Sequence, residues 1–147
     1  MGKSVRVSAK AIIIEDGKLL MLKYDFPDDI LYDLPGGGQN HGETLTEALK
    51  RECREEIGAE VQVGDILFVH DFIAAKHPQL KDKSVHGLKI EFECRLLSPI
   101  DMAAKGDDYQ LSIEWLPIDR LNEYPVHPSM LPQALKKRDR IYIGESF

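Results

Sequence analysis

The sequence predicts an α/β fold with a mixed sheet and helices on its faces, and three observations carry that expectation. Leu88, Ile90, Phe92, Cys94 and Leu96 alternate with Lys89, Glu91, Glu93 and Arg95, the period of two of a strand with one buried face. Leu45, Ala48, Leu49, Cys53 and Ile57 recur at the i, i+3, i+4 spacing of an amphipathic helix. Residues 5–14 and 18–24 are two apolar runs divided by Asp16-Gly17, a two-residue turn that pairs them as an antiparallel hairpin.

After that hairpin, residues 25–33 hold Pro27 and several acidic side chains and read as a loop. Leu34-Pro35 then leads into Gly36, Gly37 and Gly38, where a chain without side chains can take positive φ and approach a ligand closely. Thr44 and Glu47 form a capping box for the amphipathic helix, and Gly58 stands where a left-handed residue closes it. Residues 59–75 contain the strand text VQVGDILFVHDFI, residues 76–84 are a polar loop, and residues 98–110 form a longer one. Residues 111–116 return as a short strand. Residues 118–124 and 129–138 look helical, with Pro132 in the first turn of the second.

A chain of 147 residues, 43% hydrophobic, suffices for one compact core and is short for two, and no repeat or linker divides it. Residues 1–147 are therefore expected to form one domain. A net charge of -6 argues against a surface that neutralises a nucleic-acid backbone. No stretch is long enough to span a bilayer, and MGKSVRVSAKA has no apolar signal core, so a cytoplasmic location is expected. Cys53 and Cys94 show neither a metal-knuckle nor a disulfide spacing and read as reduced core thiols.

The helix carries the chemistry. Glu52, Glu55 and Glu56 fall within an arc of about 100° on one turn, where like charges at i,i+3 and i,i+4 are destabilising and Arg51 alone cannot balance them. A hard divalent cation with oxygen ligands can, and Mg²⁺ suits a site whose shell substrate phosphates complete. The acidic face lies beside the apolar stripe, so docking Leu49 and Cys53 on a sheet keeps Glu52 and Glu56 near the seam.

The whole frame, GGQNHGETLTEALKRECREEIGA from Gly37 to Ala59, resembles the signature box of the Nudix hydrolases at every fixed position: Gly37, Glu43, Arg51, Glu52, Glu55, Glu56 and Gly58. Cys53 in place of an aliphatic residue and the small Ala59 are soft departures that keep the face apolar. YDLPGGG and EWLPIDRL extend the resemblance more weakly over most of the chain. It implies an α/β/α sandwich and hydrolysis of a diphosphate linkage in a nucleoside diphosphate derivative, with Mg²⁺ or Mn²⁺. The substrate class stays open among ADP-ribose-like nucleotide sugars, dinucleoside polyphosphates and nucleoside triphosphates. Carried over by position, Glu52 and Glu56 would be metal ligands, Glu55 a third ligand or the base, and the carbonyl of Gly36 or Gly37 would complete the shell. Glu43 would pair with Arg51 and hold the carboxylates in place.

Two other classes remain in view. A non-catalytic nucleotide-binding regulator would have no need of all three carboxylates, and an isoprenoid diphosphate isomerase would need a dedicated cysteine. For the base, a box glutamate competes with Asp107 and Asp108 on the late loop. Phe26 and Tyr32 are candidate aromatic contacts for the substrate, as are Tyr24, Phe72 and Tyr109. Glu91 and Glu93 face away from the apolar side of their strand, where a solvated face is the ordinary role and an extension of the site the alternative. His41, His70, His77, His86 and His127 show no ligand spacing; His86 opens the strand whose polar face is expected to approach substrate. A small-molecule nucleotide is the expected partner, and a homodimer is compatible with the sequence.

Overall fold

The computed structural model describes residues 3–26 and 29–147; Met1, Gly2, Pro27 and Asp28 lie outside that range. In chain order the elements are β1 (Arg6–Glu15), β2 (Lys18–Phe26), β3 (Asp29–Asp33), β4 (Gly36–Gly38), α1 (Leu45–Ile57), β5 (Val61–Ile73), β6 (His86–Leu96), β7 (Gln110–Pro117), β8 (Val126–His127), α2 (Leu131–Lys137) and β9 (Tyr142–Glu145). The strands run β8-β3-β2-β1-β6-β5-β9, with β4 on β1 and β7 on β2. The sheet is mixed, because β1 pairs parallel with β6 and antiparallel with β2 and β4.

The hairpin forms where the sequence places it: Asp16 and Gly17 take φ of 52° and 73°, the pair of positive values that a tight two-residue turn requires. Strand alternation then sorts the core into two layers. Ala9, Ala11 and Ile13 of β1 join Leu49, Cys53 and Ile57 of α1 on one side. Ile12 joins Phe68 and Leu131, Ala134 and Leu135 of α2 on the other. The result is the α/β/α sandwich, a mixed sheet between helices.

The structure departs from the sequence expectations at five points. Residues 29–33 are a strand and not a loop, since Asp29 to Asp33 pair with β2 from Phe26 back to Leu22; Pro27 of that expected loop lies outside the described residues. The three glycines form a strand on β1, and only Gly36 among them has positive φ, at 127°. Residues 118–124 are a 3₁₀ segment, Ile118–Glu123, broken by the non-helical dihedrals of Arg120. Strands β8 and β9, of two and four residues, were not anticipated because pairing, and not their own pattern, makes them strands. The expected second helix contracts to Leu131–Lys137, with Pro132 in its first turn.

Candidate active site

Thr44 caps α1 in the expected box, its hydroxyl accepting from the Glu47 amide at 3.1 Å while the Glu47 carboxylate accepts from the Thr44 amide at 3.2 Å. Gly58 closes the helix at φ 62°. With Leu49 and Cys53 packed on the sheet, Glu52 and Glu56 come to the edge of β4. Glu56 Oε1 accepts from the Gly36 amide at 2.7 Å, and a Cβ on Gly37 would stand 2.7 Å from Glu52 Oε1. At Gly37 the glycine strand is thus a cradle, open before Glu52, that a side chain would fill.

Arg51 ties the box together. Its guanidinium donates to both Glu43 oxygens at 2.7 and 3.0 Å, to Glu52 Oε1 at 3.0 Å and to the Gly38 carbonyl at 3.0 Å, and approaches Glu55 at 3.6 Å. Its hydrogen bond to Glu43 comes first among the causes that raise its pKa and, in return, lower that of Glu43. One fixed cation therefore serves three box carboxylates and joins the helix to β4.

Glu56 is the exception. It is 6% exposed and has no arginine partner; burial, reinforced by the charges of Glu52 and Asp33 and opposed by Lys10, pushes its pKa up from 4.5 to about 8. The folded value lies above the unfolded one, so this group's contribution to stability is full below about pH 4.5 and is lost as pH rises through about 8. We expect the melting midpoint of the chelated protein to fall between pH 5 and pH 8, and to fall less in Glu56→Gln. Equal slopes in calorimetric melts of the two proteins would assign the dependence to other groups.

The donor set fits a hard divalent cation: carboxylates of Glu52, Glu55 and Glu56 beside backbone carbonyls, and no sulfur or nitrogen ligand. The glycine cradle and the cost of an unpaired Glu56 charge point the same way. Two groups are engaged elsewhere, since Arg51 holds Glu52, and the Gly36 carbonyl accepts from Lys10 Nζ at 3.3 Å. No group of three His, Cys, Asp or Glu side chains is gathered at metal-binding geometry among the described residues.

The remaining sequence candidates divide. Asp107 and Asp108 are exposed, and Asp107 Oδ1 accepts from the Tyr109 and Gln110 amides at 2.8 and 3.1 Å, which orders the turn. Gln110 fastens that loop to α1 by donating to the Glu56 carbonyl at 3.0 Å. Phe26 is exposed, stacks on Tyr24 with ring centroids 5.7 Å apart and lies tilted against Tyr109 at 5.6 Å. Tyr24 in turn reaches Glu56 Oε2 at 3.5 Å. Tyr32 is instead a core residue, edge-on to Tyr124. His86 is drawn to Asp71 at 3.0 Å on β5 and does not join the box. Cys53 and Cys94 are buried and free; burial raises the Cys53 thiol and pushes Cys94 up to about 12, so neither is a ready nucleophile.

Glu91 overturns the solvated-face expectation, for it is fully buried on the α2 side of the sheet and its Oε1 lies 2.9 Å from His70 Nδ1. Glu93 and Arg95 on the same face are exposed as expected, so that face of β6 is covered at Glu91 and opens to solvent beyond it. Around the Glu91–His70 pair lie Lys10, Asp33, Lys89 and His127, a cluster that the sequence reading missed except for Glu91. Lys10 is held 3.4 Å from Asp33; burial opposes its charge, but the carboxylates of Asp33, Glu56 and Glu91 outweigh it and raise its pKa. Burial lowers His127 to about 4. The available signal was Lys10 itself, a lone charge inside the apolar run SAKAIII, where a charge persists only with partners.

A glycine strand of a mixed sheet, facing a capped, carboxylate-bearing helix, defines the class. Residues 5–134 match the NUDIX domain, and the chain belongs to that family. It is 27% identical over 132 residues to the CTP pyrophosphohydrolase of Escherichia coli, covering 88% of each chain. Over 91 residues it is 31% identical to nucleoside triphosphatase NudI of Salmonella agona, which covers 56% of this chain and 63% of that one. A NUDIX hydrolase from Nitrosomonas europaea shares the fold at a TM-score of 0.75 and 20% identity, over 90% of this chain and 87% of that one. Among the described residues no helix is long and apolar enough to cross a membrane.

Proposed function

We propose that the chain is a Mg²⁺- or Mn²⁺-dependent pyrophosphohydrolase that cleaves a diphosphate linkage in a nucleoside diphosphate derivative. The observation that carries this reading is the opposition of β4 and α1: Gly37 leaves open the space in front of Glu52, and the Gly36 amide fixes Glu56 at 2.7 Å. Glu52, Glu55 and Glu56, with the carbonyl of Gly36 or Gly37, would hold the cation. A bound cation would screen the phosphate charge and supply an activated water.

The protein's own groups supply position and proton transfer. Arg51 and Glu43 hold Glu52 against β4 and act through it as positioning residues. Glu55 is about half exposed and has only the 3.6 Å approach of Arg51, which leaves its carboxylate the freest of the box to take a proton from water. Asp107 is committed to its turn, so a box glutamate is the better base. The names of the two relatives favour nucleoside triphosphates within the substrate class.

The test is a panel of CTP, UTP, ATP, GTP, ADP-ribose and a dinucleoside polyphosphate, assayed with Mg²⁺, with Mn²⁺ and in excess EDTA. Hydrolysis of at least one nucleotide with metal, and none in EDTA, is the expected result. Undiminished hydrolysis in EDTA would sink the metal assignment, and no turnover with any member would leave a binding domain in its place.

A further inference from the structure

Glu56 stands in the last turn of α1, where the carbonyl groups have no partner within the helix. The chain between β6 and β7 supplies two of the missing donors. The Asp101 amide donates to the Ile57 carbonyl at 2.9 Å, and Gln110, the first residue of β7, donates from Nε2 to the Glu56 carbonyl at 3.0 Å. The same Nε2 donates to the Ala104 carbonyl at 3.2 Å, while Gln110 Oε1 accepts from the Gly106 amide at 2.8 Å. Gln110 is 0% exposed, an uncommon place for glutamine, and its side-chain amide is committed entirely to backbone of the helix and the loop.

The same loop closes on the Glu56 side chain. A Cβ on Gly106 would lie 2.6 Å from Glu56 Cγ, so a larger residue there must turn the stem that carries the carboxylate. Glu56 is thereby met from three elements. The Gly36 amide of β4 holds Oε1 at 2.7 Å, Tyr24 of β2 reaches Oε2 at 3.5 Å, and the loop holds the Glu56 backbone through Gln110 and bears on its stem at Gly106. A carboxylate that takes a cation at one geometry needs such support, because the groups behind a ligand set its direction.

We infer that Gln110 and Gly106 are positioning residues that set Glu56 before β4, and that the loop between β6 and β7 is a wall of the cation site. Both residues act through Glu56. The inference rests on the proposed reading that Glu56 holds the cation.

The test is Mn²⁺ titration of the metal-free protein, followed by electron spin resonance of the free ion, on Gln110→Met and Gly106→Ala beside Glu56→Gln and Leu135→Val. Gln110→Met keeps the length of the side chain and removes its polar atoms; Gly106→Ala removes no hydrogen-bonding group and presses on the Glu56 stem. Each should weaken Mn²⁺ by about 10- to 100-fold, the range for losing a group that orients a metal ligand. Turnover of whichever nucleotide the wild type hydrolyses should fall with it and recover in part as Mg²⁺ is raised. Leu135→Val, in the opposite core layer, should lower the melting midpoint and leave Mn²⁺ affinity as it was, which separates positioning from general destabilisation. If Gln110→Met does not fold, as judged by circular dichroism, Gly106→Ala carries the test. Wild-type affinity in a folded variant of either residue, with weakened binding in Glu56→Gln, would overturn this inference alone. Wild-type affinity in Glu56→Gln, or no Mn²⁺ binding by the wild type, would overturn the metal reading and this inference with it.

Discussion

Glu56→Gln is expected to lower turnover by about 10²-fold or more, the size typical of losing one preorganised electrostatic group, while the fold survives. The amide keeps the volume and an oxygen for the Gly36 amide, so the 2.7 Å bond can persist. It also removes a carboxylate that burial makes costly, and the chelated variant should melt no lower than wild type at pH 8. What it loses is the charge. Glu43→Gln should reduce turnover less, because Glu43 touches the site only through Arg51, which retains Glu52 and the Gly38 carbonyl. Steady-state kinetics with saturating Mg²⁺ and a denaturation melt on each variant make the comparison. Equal, mild effects would mean that Glu56 holds no metal and that the ligand assignment is wrong.

Much of this site was legible because helical periodicity converts sequence spacing directly into geometry. The shared turn of Glu52, Glu55 and Glu56, the Thr44 capping box and the Gly58 stop were read from 3.6 residues per turn, and the structure builds the helix, the box and the stop accordingly. The Glu43–Arg51 pair, eight residues apart, was accessible only through the family resemblance, since no local rule brings those positions together.

The other half of the molecule was opaque for a definite reason. Glu91 lies on the strand with the clearest alternation in the chain, and alternation says that two faces differ without saying whether the second is wet. Its partner His70 stands 21 positions away on β5, and Lys10 and Asp33 meet only because β4 folds back on β1. Long-range pairing creates that cluster, and no periodicity reports it. Strand β3 was missed for a related reason: turn-forming and acidic residues suggested a loop, but pairing with β2 outweighed them.

Gly36→Ala and Gly37→Ala are expected to separate folding from catalysis at neighbouring positions. At Gly36 the backbone has φ 127°, and an added Cβ would lie inside contact distance of the Ala9 carbonyl oxygen and 2.7 Å from Lys10 Cα. Both neighbours are backbone of the central strand and cannot yield cheaply, so β4 must leave β1. A loss of roughly 4 kcal/mol or more is expected, enough to unfold a marginal protein. At Gly37 φ is ordinary, and the Cβ meets the Glu52 carboxylate at 2.7 and 2.8 Å, the movable end of a side chain. That carboxylate can swing away at a cost of about 1 kcal/mol. Gly37→Ala should therefore fold with a melting midpoint near that of wild type, yet lose about 10- to 100-fold in kcat/KM and bind Mg²⁺ more weakly by calorimetry, because Glu52 no longer faces the cradle. Wild-type activity and metal affinity in a folded Gly37→Ala would show that the open space before Glu52 is not where the cation and diphosphate sit.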